Sequence, residues 1–220
     1  MIATAYGCAV IGVDAIKITI EVGIGQGTEY RLSGLPDNAV KEGMHRVESA
    51  IKFIGYTMPR QRIVVNMAPA DIPKEGTGYD LAIALGIIAA SEQDQFPLME
   101  DYAIMGELSL EGKLRHVRGV LSISIEARKN NLKGIILPYK NAQEAAIVND
   151  LDVIGVTTLK EAIDFLRGEK KIDPFESDTR GIFQHHLDQY ESDFADVQGQ
   201  ENIKRSLEIA AAGGHNAIMI

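Results

Sequence analysis

Apolar and polar positions alternate in short runs through the first 32 residues: Ala3–Val13, Ala15–Val22 and Thr28–Leu32, punctuated by Gly12, Gly23, Gly25 and Gly27. A two-residue period bounded by glycine predicts strands, here a meander of three. From Pro36 to Ile54 the period lengthens. Val40, Met44, Val47, Ile51 and Ile54 draw one stripe down a helix, with Asp37 as its N-cap and Gly55 as its stop. A strand at Arg62–Ala68, a loop at Pro69–Gly78 and a strongly apolar helix at Tyr79–Ala90 follow.

Next, Tyr102–Leu110 and Lys113–Val117 flank Glu111-Gly112 and predict a hairpin. Strand and helix then alternate: helix Gly119–Asn130, strand Gly134–Pro138, helix Asn141–Val148 with Asn141 and Glu144 as a capping box, and strand Leu151–Val156. Thr158 with Glu161 caps a helix running to Leu166. Gly168–Asp193 is polar, carries Pro174 and lacks an apolar period, which predicts a linker. Gln200–Ala212 predicts a helix and Asn216–Ile220 an apolar strand. A strand left without a neighbour predicts that a second domain is cut short there.

Composition narrows the class. With 220 residues, 45% apolar and 24% charged, the chain has room for one large domain or one domain and a piece of another. No window reaches the roughly 18 apolar residues of a membrane span, and no signal peptide opens the chain, so a soluble, cytoplasmic protein without a membrane partner is expected. The single Cys8 makes no internal disulfide and has no zinc-type neighbours. His45 and His116 stand alone, and His185-His186 lacks a third ligand, so no metal site is expected.

The net charge of −9 is local: positions 141–201 hold 14 Asp/Glu against 5 Lys/Arg, and the rest holds 17 of each sign. An acidic tail on a neutral body leaves nucleic acid open as a partner, because binding follows where basic groups cluster. Those concentrations are Arg60 with Arg62, then Lys113, Arg115, His116 and Arg118, then Arg128, Lys129 and Lys133. Gathered on one face they would contact DNA phosphates; scattered, they are solvated turns. Lys74, Glu75 and Asp80, on a glycine loop and the first helical turn after it, form a candidate interaction site. The alternative is that Asp80 only stabilises the helix N-terminus. Gly23-x-Gly25-x-Gly27 leads into a strand rather than a helix, so it is a hairpin and not a dinucleotide fingerprint.

The segment Asp193-Phe-Ala-Asp-Val-Gln-Gly-Gln-Glu201, followed by Ala210-Ala-Ala-Gly-Gly-His-Asn216, resembles the entry to the ATPase domain of the magnesium-chelatase-like AAA+ proteins. Gly34-Leu-Pro-Asp-Asn-Ala-Val-Lys-Glu42, Val65-Asn-Met-Ala-Pro-Ala-Asp-Ile-Pro-Lys-Glu-Gly76 and Tyr79-Asp-Leu-Ala-Ile-Ala-Leu-Gly86 are similar to the N-terminal domain of the ComM/YifB group of that family. The resemblance implies an ATP-driven hexameric ring, with ATP and Mg2+ as cofactors of the whole protein. It also implies a DNA helicase role in branch migration during recombination of incoming DNA. No Gly-x4-Gly-Lys-Ser/Thr occurs in this chain, so no cofactor is expected within it.

A more distant resemblance is to the peptidase domain of Lon proteases. It runs through Pro73-Lys-Glu-Gly76, the apolar helix, Gly106-Glu-Leu-Ser-Leu-Glu-Gly112 and Gly134-Ile-Ile-Leu-Pro138. The Ser-Lys dyad of that family would fall at Gly78 and Leu121 here, and neither side chain can serve. Ser122 lies one residue away, about 100° around the helix.

The expected fold is therefore α/β (α+β): a two-layer Lon-peptidase-like domain with helices packed on a mixed sheet over residues 1–168. A linker over 169–192 and the truncated start of an AAA+ domain over 193–220 complete the chain. The expected function is that of a non-catalytic N-terminal accessory domain. A metal-chelatase ATPase subunit is the alternative, and a Ser-Lys peptidase the third.

Overall fold

The computed structural model describes residues 2–176 and 194–218. The chain divides into two compact units, Met1–Ser177 and Asp178–Ile220. The first is a mixed α/β fold built on a seven-stranded sheet.

β1 (Ile2–Ile11) and β2 (Asp14–Gly25) form a long antiparallel hairpin in which Ala5 lies opposite Ile20 and Ala3 opposite Val22. That register puts Ala3, Ala5, Ile18, Ile20 and Val22 on one buried face. β3 (Tyr30–Ser33) does not extend this hairpin as a meander would. It runs parallel to β4 (Arg62–Ala68), which itself lies antiparallel to β2, so β4 separates β2 from β3. The cause is α1 (Asn38–Phe53), which joins β3 to β4 as the crossover that parallel neighbours require. Its Val40, Val47 and Ile51 are buried, and Asp37 accepts the Val40 N–H at 2.8 Å.

α2 (Asp80–Ala90) is buried on almost every side, as a helix apolar all round must be. Gly86 permits its approach to the sheet: a Cβ there would lie 2.5 Å from a Val22 methyl. β5 (Tyr102–Ile104) enters the main sheet between β1 and β8 (Gly134–Pro138), parallel to both. The expected hairpin shrinks to β6 (Glu107–Leu108) with β7 (Leu114–Arg115). Gly106 breaks the run, because its N–H donates to the Gly78 carbonyl at 2.7 Å and a Cβ there would strike Leu114.

α3 (Val120–Lys129), β8, the short α4 (Ala142–Ala145), β9 (Asp152–Val156) and α5 (Leu159–Leu166) follow the expected alternation, with β9 at the sheet edge. Thr158 and Glu161 cap α5 as a box: Thr158 Oγ1 accepts from Glu161 N–H at 3.2 Å, and the Glu161 carboxylate accepts from Thr157 N–H at 2.7 Å. Asn141 makes no such box on α4. Its buried amide bridges both the N–H and the carbonyl of Val117, at 3.0 and 2.9 Å, a tertiary partner that outcompetes the local cap. The segment expected to be linker from residue 169 stays tied to the first unit as far as residue 176, since Phe175 N–H donates to the Val153 carbonyl at 2.8 Å.

In the second unit, a 3-10 turn at Phe194–Asp196 precedes α6 (Glu201–Gly213), none of whose residues is buried. Positions 215–218 form no strand, and positions 219 and 220 lie outside the described residues, as do His185 and His186. No helix among the described residues is long and apolar enough to cross a membrane.

Candidate functional site

The loop between β4 and α2 is held from three sides. Pro36 and Lys74 form an isolated parallel bridge, and Asp37 N–H donates to the Lys74 carbonyl at 2.9 Å. The second oxygen of the Asp37 carboxylate accepts the Gly76 N–H at 3.0 Å. One aspartate thus caps α1 and fixes the loop that leads into α2. Lys74 is fully buried, its ammonium donating to the Pro69 carbonyl, and burial pushes its pKa below the ordinary lysine value.

Beside this loop opens a cleft of about 730 Å³. Cys8, Val10, Met105 and Ile123 supply apolar lining, Glu75 to Tyr79 one wall, and His116 to Arg118 another. Tyr79 anchors its wall by donating to the Cys8 carbonyl at 3.1 Å. Thr77 Oγ1 donates to the Glu107 carboxylate, whose other oxygen takes Arg115 Nη1 at 3.1 Å. Although burial opposes it, the Thr77 and Arg115 hydrogen bonds hold Glu107 below the usual carboxylate range. The Cys8 thiol, pushed up to about 12 by burial, is no nucleophile at neutral pH.

Gly78, where the sequence resemblance would put the peptidase serine, lines this cleft and offers it no side chain. Leu121, where the resemblance would put the lysine, stands in the first turn of α3, with its N–H donating to the Glu144 carboxylate at 3.1 Å. Ser122 donates its hydroxyl to the Val13 carbonyl at 2.6 Å. A nucleophile needs a base able to take its proton; of the two hydroxyls flanking Gly78, that of Thr77 faces a carboxylate held below the usual range, too weak a base to activate it, and that of Tyr79 is committed to the Cys8 carbonyl.

The three residues of the candidate interaction loop part company. Lys74 is sealed in the interior, and Glu75 is exposed at the cleft. Asp80 is buried in a pair with Arg46, whose Nε donates at 2.7 Å and Nη2 at 3.2 Å, while Leu108 N–H donates at 3.1 Å. Its carboxylate serves this tertiary pair, and α2 has no side-chain cap. Arg46 carries no sequence signal of this role except its place on the inner edge of the α1 stripe.

The basic residues are spread over separate places. Arg60 lies in a recess with Glu48 and Lys52, Arg62 beside Gly25 and Ile2, and Arg118 with His116 at the cleft. Lys113 pairs with Glu111 at 2.8 Å and Arg115 with Glu107 at 3.1 Å, both on the surface. Arg128 and Lys129 close α3, where Arg128 reaches the Asn149 carbonyl at 3.4 Å.

A phosphate does not fit the one glycine loop that leads into α2. Its Gly76 N–H already holds the Asp37 carboxylate, and Lys74 is turned to a backbone carbonyl. Among the described residues, no cluster of three His, Cys, Asp or Glu could hold a metal.

Against protein families, residues 20–141 match the model described as subunit ChlI of Mg-chelatase, and residues 193–220 match magnesium chelatase, subunit ChlI. Competence protein ComM of Haemophilus influenzae is 38% identical over the whole chain, which covers 43% of that protein. The uncharacterized protein YifB of Escherichia coli is 42% identical over 96% of the chain and 41% of its own length. Lon protease 2 of Bacillus subtilis is 30% identical over 56% of the chain and 22% of that protease. The chain thus spans less than half the length of these relatives.

Proposed function

The chain belongs to the ChlI family of magnesium-chelatase subunits, and from that premise we propose that it is the N-terminal accessory domain of an AAA+ ATPase of the ComM/YifB group, with no chemistry of its own. The observation that carries this is the cleft. A recess opens beside the β4–α2 loop and is lined by Gly78, while Leu121 does not line it; these are the two positions at which the resemblance to Lon proteases would put the attacking hydroxyl and the amine. Such a recess positions a partner; it has no group to break an amide.

ATP and Mg2+ would be bound by residues outside this chain, in a ring formed by self-association of the whole protein. That ring would act on branched DNA in the cytoplasm, a reading supported by full-chain similarity to a protein named for competence. The domain's own DNA contacts would be few, since Lys113 and Arg115 each stand beside a carboxylate that repels phosphate and Arg60, Arg62 and Arg118 lie in different recesses.

Binding of forked DNA tests the reading. Three phosphate contacts predict affinity that falls about fortyfold between about 50 and about 200 mM salt. Salt-independent binding, or none, would overturn a DNA-facing role. A second reading, an ATPase subunit for magnesium insertion, is favoured by the description of the matching family; saturable binding of a porphyrin by the chain would select it.

A further inference from the structure

The chain's exit from the first unit is built as a strap. α5 ends at Leu166, and Gly168, at φ 76°, reverses the direction of the chain. The eight residues 169–176 follow, and they meet β9, the edge strand, at Val153. Ile172 and Phe175 are half-buried and pack on the core, while Glu169, Lys170, Lys171, Asp173, Pro174 and Glu176 face water. Phe175 stacks edge-on against Tyr139, ring centroids 6.0 Å apart, and its N–H reaches the Val153 carbonyl.

The root of the strap is fastened far more firmly than its body. Arg167 Nε lies 3.0 and 2.8 Å from the two oxygens of Asp94, and Nη2 donates to the Tyr56 hydroxyl at 2.8 Å. Beyond that root, two half-buried side chains, backbone hydrogen bonds from Lys170 to the Asp164 carbonyl and from Phe175 to the Val153 carbonyl, and a 3.9 Å pair of Lys170 with Glu161 hold the strap, where β8 and β9 share five registered residue pairs. Segments with few buried apolar contacts open at free energies well below that of global unfolding.

We propose that residues 169–176 form a releasable strap, pinned at Arg167, that closes the outer edge of β9 when docked and lengthens the tether beyond Leu166 when lifted. An uncovered strand edge recruits another extended chain, so covering it is a function in itself. Lifting the strap frees eight residues, at most about 26 Å of extended chain at roughly 3.3 Å per residue, and leaves the Val153 carbonyl open to a segment that would add to β9.

Amide hydrogen exchange on the 220-residue chain tests this. The Phe175 amide should be protected relative to a free peptide, yet exchange at least about a hundredfold faster than Ile154 in the interior of β9. Phe175→Ala should remove the Phe175 protection and raise tryptic cutting after Lys170 and Lys171 about tenfold, with Ile154 exchange unchanged. Equal protection of Phe175 and Ile154 would show that the segment opens only when the domain unfolds. No protection at Phe175 would show that it does not dock. Either result overturns the proposal.

Discussion

Arg46 and Asp80, 34 residues apart in sequence, meet as a two-pronged ion pair between α1 and α2, with the Asp80 side chain only 2% exposed. The pair ties the outer amphipathic helix to the buried one. Gly43 makes room for it, since a Cβ there would lie 2.4 Å from Asp80 Oδ1.

Removing Arg46 should leave a buried carboxylate without its counter-ion, and Arg46→Ala is expected to cost about 3–5 kcal/mol at pH 7. The pH dependence follows from the carboxyl. Burial raises Asp80 to about 6, against the pull of Arg46 and the Leu108 N–H. A group raised on folding contributes stability that is present below its unfolded value, near 4, and lost as pH climbs through the folded one. Without Arg46 the folded value rises further, so the deficit should shrink as pH falls from 7 toward 4.5. Thermal melts of both proteins across that range check it; a deficit that does not vary with pH contradicts it.

Asp94 titrates the other way. Although burial opposes it, Arg167 and Tyr56 hold Asp94 below the usual carboxylate range. Its contribution is present above about pH 4 and lost on acidification. Asp94→Asn should therefore destabilise by about 2 kcal/mol at pH 7 and by less at pH 3.5, read from urea midpoints. An equal loss at both values would mean that the charge does not matter.

Gly86→Ala tests the closeness of α2 to the sheet. The new methyl must displace the Val22 side chain or the helix, and overpacking of this kind costs about 1–3 kcal/mol. Alanine is otherwise favoured over glycine in a helix by about 1 kcal/mol. A variant with a raised melting temperature would show that the contact is loose.

How far these relationships were legible depends on whether they are local. The α1 stripe repeats within a single helix, the Asp37 cap and the Thr158–Glu161 box each lie within about one turn, and each stands where periodicity and capping place it. The order of strands does not follow from any one segment: β3 and β2 are neighbours in sequence, and the α1 crossover puts β4 between them. Asn141 has the sequence of a helix cap and instead holds Val117, 24 residues away. Lys74 and Asp80 sit on a glycine loop that suggests exposure, and both are buried by partners, Pro69 and Arg46, that no pattern marks. Gly78 was legible as a missing nucleophile only through resemblance, and the cleft around it only through the assembled sheet.

In the proposed reading, the cleft beside Gly78 carries no peptidase chemistry. Incubating the chain with fluorescently labelled unfolded casein measures that directly. The expected result is no release above the protein-free control at any pH between about 5 and about 9, the span over which a serine or threonine nucleophile with a neighbouring base would titrate into activity. Cleavage that disappears in Thr77→Ala or in Ser122→Ala would contradict it.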